Sequence, residues 1–309
     1  LPGAKAASAI DTDAECSIEF DISGNSSELL SASIPVNLYK VASVDVSGNY
    51  TATGTFAKLD FSSVSADNLD TAAATWSERA AEAKKLLKDD TEPTTTVTLT
   101  QGRGTATGLK TGLYLVDTPE VVTTNYTYTF TPYLVSLPTN NYYSNGNDNW
   151  IYDLTKEYNS AVGLKPEEHA RYGDLKINKT LAHHNATTGK KATFVFKIEI
   201  TPLKGKTETR IESLDFEAAG DSSVTITKIP AGATVTVKEE YSGASYKLTS
   251  ANDQNATIVA TDRGAKVDPA SVSFTNDIDN NMNGGYGVKN NFKLDENGQY
   301  QYTEPAEKN

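Results

Sequence analysis

Lys179 is the residue whose surroundings most suggest chemistry. It sits in residues 173–180 (GDLKINKT), where Leu175, Ile177 and Lys179 share one face of a strand because strand side chains alternate. Two later segments repeat the pattern with a different polar end. In residues 233–240 (ATVTVKEE) the face runs Val235, Val237, Glu239, and in residues 271–276 (SVSFTN) it runs Val272, Phe274, Asn276. An amine, a carboxyl and a carboxamide thus each follow two apolar residues. If the three strands adjoin, the three groups share one apolar pocket. The plain alternative is an edge strand whose lysine reaches solvent along its alkyl stem.

Such a pocket has a specific reactivity. Burial lowers a lysine pKa and raises a glutamate pKa, so the pair tends toward a neutral amine and a protonated acid. The neutral amine is a nucleophile. A protonated Glu239 is placed to hydrogen-bond the Asn276 side-chain carbonyl and relay protons. Attack of the Lys179 amine on the Asn276 carboxamide, with loss of ammonia, leaves an amide cross-link. The fold supplies the effective concentration for it. Glu240 competes for the acid role, and alternation with Val235 and Val237 favours Glu239.

Composition sets the frame. The chain has 309 residues, room for about two domains at ~100–200 residues each. Its formal net charge of −12 argues against a nucleic-acid partner, which calls for a basic patch. The single cysteine, Cys16, excludes an internal disulfide, so a secreted chain of this kind needs another source of robustness. A bond between Lys179 and Asn276 would close a long loop as a disulfide does. No run of ~20 apolar residues is present to span a membrane. No signal peptide is legible, and the ends at Leu1 and Asn309 read as cut points.

The elements that must position these groups are mostly strands. Residues 17–23 alternate Ile18, Phe20 and Ile22, and residues 34–44 place Val36, Leu38 and Lys40 on one face. Residues 74–88 form the one convincing helix, with Trp76, Ala80, Ala83 and Leu87 at helical spacing and Asp70 or Thr71 as its cap. Residues 127–137 read as one strand with Pro132 marking an edge or bulge. Residues 158–169 read as a linker, with the domain boundary near 167–172. From there strands recur with turn signals every ~8–12 residues, the spacing of a β-sandwich.

The second half resembles the isopeptide-bonded domains of Gram-positive, sortase-assembled pilins and surface adhesins. The resemblance rests on GDLKINKT, on residues 229–240 (IPAGATVTVKEE) and on SVSFTN, in that order. It implies Lys179 as donor, Asn276 as acceptor and Glu239 as the catalytic acid. The first half is similar to the N-terminal domains of the same pilins through IPVNLYKVASVD, GLYLVD, YTFTPYLVSLP and WIYDLT. The implied fold is mainly β: two immunoglobulin-like, collagen-adhesin B-type β-sandwiches in tandem, residues 1–168 with one inserted helix and residues 169–309 with a C-terminal tail. The family joins subunits through a lysine near the end of the first domain. Here Lys165 is the nearest candidate, although Lys156 lies closer to WIYDLT. A cross-link inside the first domain is not expected: its first strand has no lysine, and GLYLVD offers Asp117 where a Glu would stand.

The expected function is a structural, cell-wall-anchored pilus (fimbrial) subunit, extracellular, without cofactor, whose one reaction is its own cross-linking. Its expected partners are other pilin subunits, joined by sortase. The sorting signal for that step is absent from the sequence. The alternative is an adhesin or carbohydrate-binding module that meets a host or sugar receptor through the Asn/Tyr-rich loop at 140–150. Residues 277–283 (DIDNNMN) echo a calcium loop, but Val288 stands at the twelfth position, where such a loop needs Glu. His183 and His184 flank a turn without a nucleophile or metal-ligand spacing, so no enzyme acting on an external substrate is expected.

Overall fold

The computed structural model describes residues 8–66, 73–140, 149–188, 191–243, 245–280 and 291–303. Its contacts divide the chain into two units. One is Leu1–Thr123 with Thr127–His169; the other is Thr124–Tyr126 with Ala170–Asn309.

The second unit is a sandwich of two four-stranded sheets. One sheet has the order Gly220–Pro230, Tyr172–Leu181, Ala270–Ile278, Tyr246–Leu248; the other has Glu208–Phe216, Ala192–Thr201, Thr234–Tyr241, Gln254–Thr257. The inner faces meet in one core that includes Leu175, Ile177, Phe194, Phe196, Val235 and Phe274. Apolar residues at every second position explain it, since one face of each strand is then removed from water. Tyr172–Leu181 and Ala270–Ile278, the first and last strands of the sandwich, lie side by side and parallel, with Lys179 opposite Phe274 and Leu181 opposite Asn276. Parallel neighbours cannot be joined by a tight turn. Here the rest of the sandwich forms the connection.

The entry to the lysine strand depends on a glycine. The register with Gly220–Pro230 shifts between Gly173 and Leu175. A Cβ on Gly173 would overlap the Val259 carbonyl oxygen. The backbone approaches there more closely than any side chain permits.

The first unit is also mostly strand. Its largest sheet has Ile34–Val44 at its centre, paired with Tyr50–Ala52, Thr95–Leu99 and Gly112–Asp117, the last of which also pairs Tyr133–Leu137. The helix Ala73–Leu86 buries Trp76, Ala80 and Ala83, with the indole edge-on to Tyr50 at 5.7 Å. A second sheet orders Asp153–Leu154, Glu15–Asp21 and Arg103–Lys110.

Several local expectations are corrected. A short helix, Ser27–Leu30, burying Leu29, lies between the strands Glu15–Asp21 and Ile34–Val44, where no element is expected from the sequence. Lys40 follows Val36 and Leu38 in unbroken register, and the register shifts just beyond it, between Lys40 and Ala42. Val36, Leu38, Tyr39, Val41 and Ala42 are buried, and Lys40 is half-buried. Residues 127–137 are two strands, Tyr126–Phe130 and Tyr133–Leu137, in different sheets. Pro132 lies between them and cannot donate to a ladder. The expected linker contains a strand, Pro166–Ala170. Its sequence PEEHA has little strand propensity; pairing with Tyr126–Phe130 holds it extended. The proposed helix caps Asp70 and Thr71 lie outside the described residues.

Replacing Gly173 by Ala is expected to lower the stability of the second unit by about 1–3 kcal/mol, the usual cost of forcing atoms into a packed interior. Thermal denaturation followed by circular dichroism checks it, and an unchanged midpoint would contradict the close approach.

Candidate functional site

Three strands converge on one buried polar cluster. The lysine strand Tyr172–Leu181 buries Leu175, Ile177 and Lys179, the last only 1% exposed. The neighbouring strand Ala270–Ile278 buries Val272, Phe274 and Asn276, the last wholly enclosed. The acid strand Thr234–Tyr241 comes from the other sheet and buries Val235 and Val237. Its Glu239 side chain is 3% exposed. Pairing with Ala192–Thr201 shows why Glu239 and not Glu240 enters the core. Glu239 stands opposite Phe196 and Tyr241 opposite Val195, so a bulge takes Glu240 out of the alternation.

The three groups touch. Lys179 Nζ donates to Asn276 Oδ1 at 2.5 Å and to the Thr180 carbonyl oxygen at 3.1 Å. Asn276 Nδ2 donates to Glu239 Oε1 at 2.7 Å. Glu239 Oε2 lies 4.0 Å from Lys179 Nζ and accepts no hydrogen bond. The carboxamide is thus clasped between the amine and the acid.

The electrostatics follow from burial. Desolvation pushes the Lys179 amine down to about 8, against a smaller upward pull from the Glu239 charge. Desolvation also pushes Glu239 above the usual carboxylate range, against the Asn276 hydrogen bond and the Lys179 charge. Both shifts move the pair toward neutrality, because each charged form has lost its water. The pocket wall is aromatic. Nζ lies 4.2 Å from the centre of the Phe194 ring, which contacts Phe216 and Tyr246, while Phe196 packs on Phe274 at 5.1 Å. The role of Phe194 as the floor beneath the amine is not legible in the sequence, where it is one of several apolar residues in an almost continuous run.

One contact differs from expectation. Glu239 faces the Asn276 amide nitrogen rather than its carbonyl oxygen. An ammonium facing oxygen and a carboxylate facing N–H₂ select this orientation. A half-turn of the planar amide exchanges its two ends with little other movement.

The remaining candidates lie elsewhere. Lys165 and Lys156 are exposed. Lys165 borders a cavity of about 530 Å³ in the first unit, lined also by Trp76, Tyr133 and Leu164. In the same unit, the buried Asp117 carboxylate meets Lys84, whose side chain is 46% exposed, at 2.7 Å. His183 pairs with Asp277 at 2.8 Å. Residues 141–148 of the Asn/Tyr-rich loop and residues 281–290, which include the end of DIDNNMN and Val288, lie outside the described residues. Among the described residues no group of three or more His, Cys, Asp or Glu is arranged to hold a metal, and no helix is long and apolar enough to cross a membrane.

A family model described as a domain of unknown function, DUF5979, matches residues 175–279, about a third of the chain. The match runs from the lysine strand to just beyond Asn276. No curated protein matches the sequence. Among solved structures, the minor pilin GBS52 of Streptococcus agalactiae is similar at 15% identity, over 80% of this chain and 82% of that one, with a TM-score of 0.23. The major pilin of Streptococcus pyogenes is similar at 13% identity over 86% and 98%, with a TM-score of 0.22. The major pilin SpaA of Corynebacterium diphtheriae, described as pointing to a modular pilus assembly with stabilising isopeptide bonds, is similar at 13% identity over 79% and 69%, with a TM-score of 0.27. Likenesses of this strength assign neither a family nor a function to this chain.

The depressed Lys179 pKa has a stability consequence wherever the amine stays free. Its folded value of about 8 lies below its ordinary 10.5, so its contribution is complete above the higher value and lost as pH falls through the lower. An Asn276→Ala variant, which retains the amine and the acid, is expected to gain stability between those limits as pH rises. The measurement is denaturant unfolding, referenced to the Lys179→Met/Asn276→Ala double variant. Equal pH dependence in both would contradict the buried, destabilised ammonium.

Proposed function

We propose that this chain is a structural cell-surface subunit of a pilus or fimbria, strengthened by a self-formed Lys179–Asn276 isopeptide bond. The observation that carries the reading is the buried contact of Lys179 Nζ, the Asn276 carboxamide and the Glu239 carboxyl. A lysine, an asparagine and a glutamate enclosed together are a costly way to hold two sheets if they only pack. They are what an amide transfer requires.

The reaction balances within the site. In the neutral pair, the Lys179 Nζ lone pair attacks Asn276 Cγ while the Glu239 acid, with the amide turned, donates to Oδ1. Collapse of the tetrahedral adduct breaks the Cγ–Nδ2 bond. Glu239, in the orientation described above, takes a proton from the former amine, hands it to the leaving nitrogen, and recovers the Oδ1 proton as the carbonyl re-forms. One ammonia leaves, one secondary amide remains, and Glu239 ends as it began. Glu239 acts once per molecule, and no cofactor enters any step. The aromatic wall excludes the water that would hydrate the amine and quench the acid.

The product ties neighbouring parallel strands across 97 positions of sequence. Cross-linking a loop near 100 residues restricts the unfolded chain by roughly 4–5 kcal/mol in the chain-entropy account. With Cys16 as the only cysteine, this bond takes the place of a disulfide. A filament pulled from its ends benefits most, since load on the first and last strands passes through the bond. Cell-surface anchoring, assembly by sortase and Lys165 as the joining lysine belong to the same reading. They rest on motif resemblance and on the exposure of Lys165 at the rim of its cavity.

Two measurements test this reading. Intact mass of purified protein is expected to fall one ammonia below the sequence mass, and Glu239→Ala is expected to restore the full mass and lower the thermal midpoint. A wild type at full mass would refute the cross-link. For assembly, Lys165→Arg is expected to abolish covalent multimers in the presence of a matching sortase and a subunit carrying a sorting signal, while Lys156→Arg leaves them. Persistence of multimers in Lys165→Arg would remove that lysine from the role.

A further inference from the structure

The acid and the acceptor belong to different sheets, so something must hold them at bonding distance. The chain between them crosses from one sheet to the other. Leu248 stands opposite Asn276 in the lysine sheet, and Gln254 stands opposite Val237 in the acid sheet. The crossing segment, residues 249–254 (TSANDQ), grips both strands next to the reactive residues.

On the acceptor strand, pairing with Tyr246–Leu248 covers only Asn276, Asp277 and Ile278. The backbone groups one and three residues before Asn276 would otherwise end without a strand partner on that edge. Thr249 donates from its backbone N and its Oγ1 to the Thr275 carbonyl oxygen at 2.8 and 3.0 Å. Ser250 Oγ accepts from Thr275 N at 3.0 Å. Gln254 imitates a strand peptide: its Nε2 donates to the Ser273 carbonyl oxygen at 2.5 Å and its Oε1 accepts from Ser273 N at 2.9 Å. On the acid strand, pairing with Gln254–Thr257 stops at Val237. One step further, Asn252 Oδ1 accepts from Glu239 N at 2.8 Å. The asparagine side chain thus extends the ladder to the residue that bears the acid.

We propose that Asn252 and Gln254 are positioning residues for cross-link formation, fixing the Glu239 strand and the Asn276 strand to a single short clamp. This rests on the proposed isopeptide reaction and adds to it residues that touch none of the reacting atoms. Backbone groups must be paired, but water could satisfy those at the exposed Asn252 equally well. What a side-chain clamp adds is a fixed spacing, and proton relay through Glu239 is sensitive to that spacing.

The test follows ammonia loss with time. Wild type, Asn252→Ala, Gln254→Ala and Asn252→Asp are synthesised in a cell-free reaction, quenched in denaturant at intervals and weighed intact. The alanine variants are expected to cross-link about 10- to 100-fold more slowly, the range expected for a misplacement near 1 Å. Asn252→Asp, which keeps an acceptor for the Glu239 N–H, is expected to recover most of the rate. The same substitutions in a Lys179→Met background, where no bond can form, are expected to remain folded at the assay temperature. Alanine variants that keep pace with wild type would overturn the proposal. So would slowing confined to variants whose Lys179→Met counterparts are unfolded, since the role would then be stability alone. A wild-type chain that never loses ammonia defeats the isopeptide reading itself, a result separate from either.

Discussion

The second unit depends on an amine buried where only a neutral amine or a matched partner is tolerable. Lys179 has one amide oxygen, one backbone carbonyl oxygen and an aromatic ring around its nitrogen. The Glu239 oxygen nearest to it stands at 4.0 Å and accepts no hydrogen bond. As an ion pair this is poorly made, because the charges are separated and the carboxylate is half unsatisfied. As a pair of neutral groups on either side of a carboxamide it is well made. The desolvation that would weaken an ion pair moves both the amine and the acid toward their neutral forms.

The sandwich explains how such a cluster is assembled reliably. Each of the three polar residues follows two inward aliphatic or aromatic residues on its strand, which fix the register. A slip by one residue would expose the apolar pair along with the polar group, so core burial and site alignment are specified by the same pattern. The parallel contact between first and last strands joins parts of the chain about a hundred residues apart, with the rest of the sandwich between them. The proposed chemistry therefore requires the folded sandwich, since only there does Lys179 meet Asn276.

Much of this is written in the sequence, and the reasons for the rest are physical. The alternation in GDLKINKT, ATVTVKEE and SVSFTN carries three inward faces, and a strand's period of two leaves little room for another reading. Alternation also favours Glu239 over Glu240; the bulge just beyond Glu239, opposite Val195 and Phe196, is a backbone event without a sequence mark. A register shift just beyond Lys40 is likewise unmarked in the sequence. Pro166–Ala170 is a strand by virtue of its neighbours and not of its own residues. The orientation of the Asn276 amide and the grip of Asn252 and Gln254 depend on which strand edges are left open, and that is a property of the assembled sheets.

The central claim is a covalent bond between two named side chains, and it is tested most directly by locating that bond. Proteolysis of the native, purified chain followed by tandem mass spectrometry should yield one branched species in which the peptide containing Lys179 is joined to the peptide containing Asn276, one ammonia lighter than their sum. Recovery of the two as separate linear peptides, with an intact lysine and an intact asparagine, would contradict it.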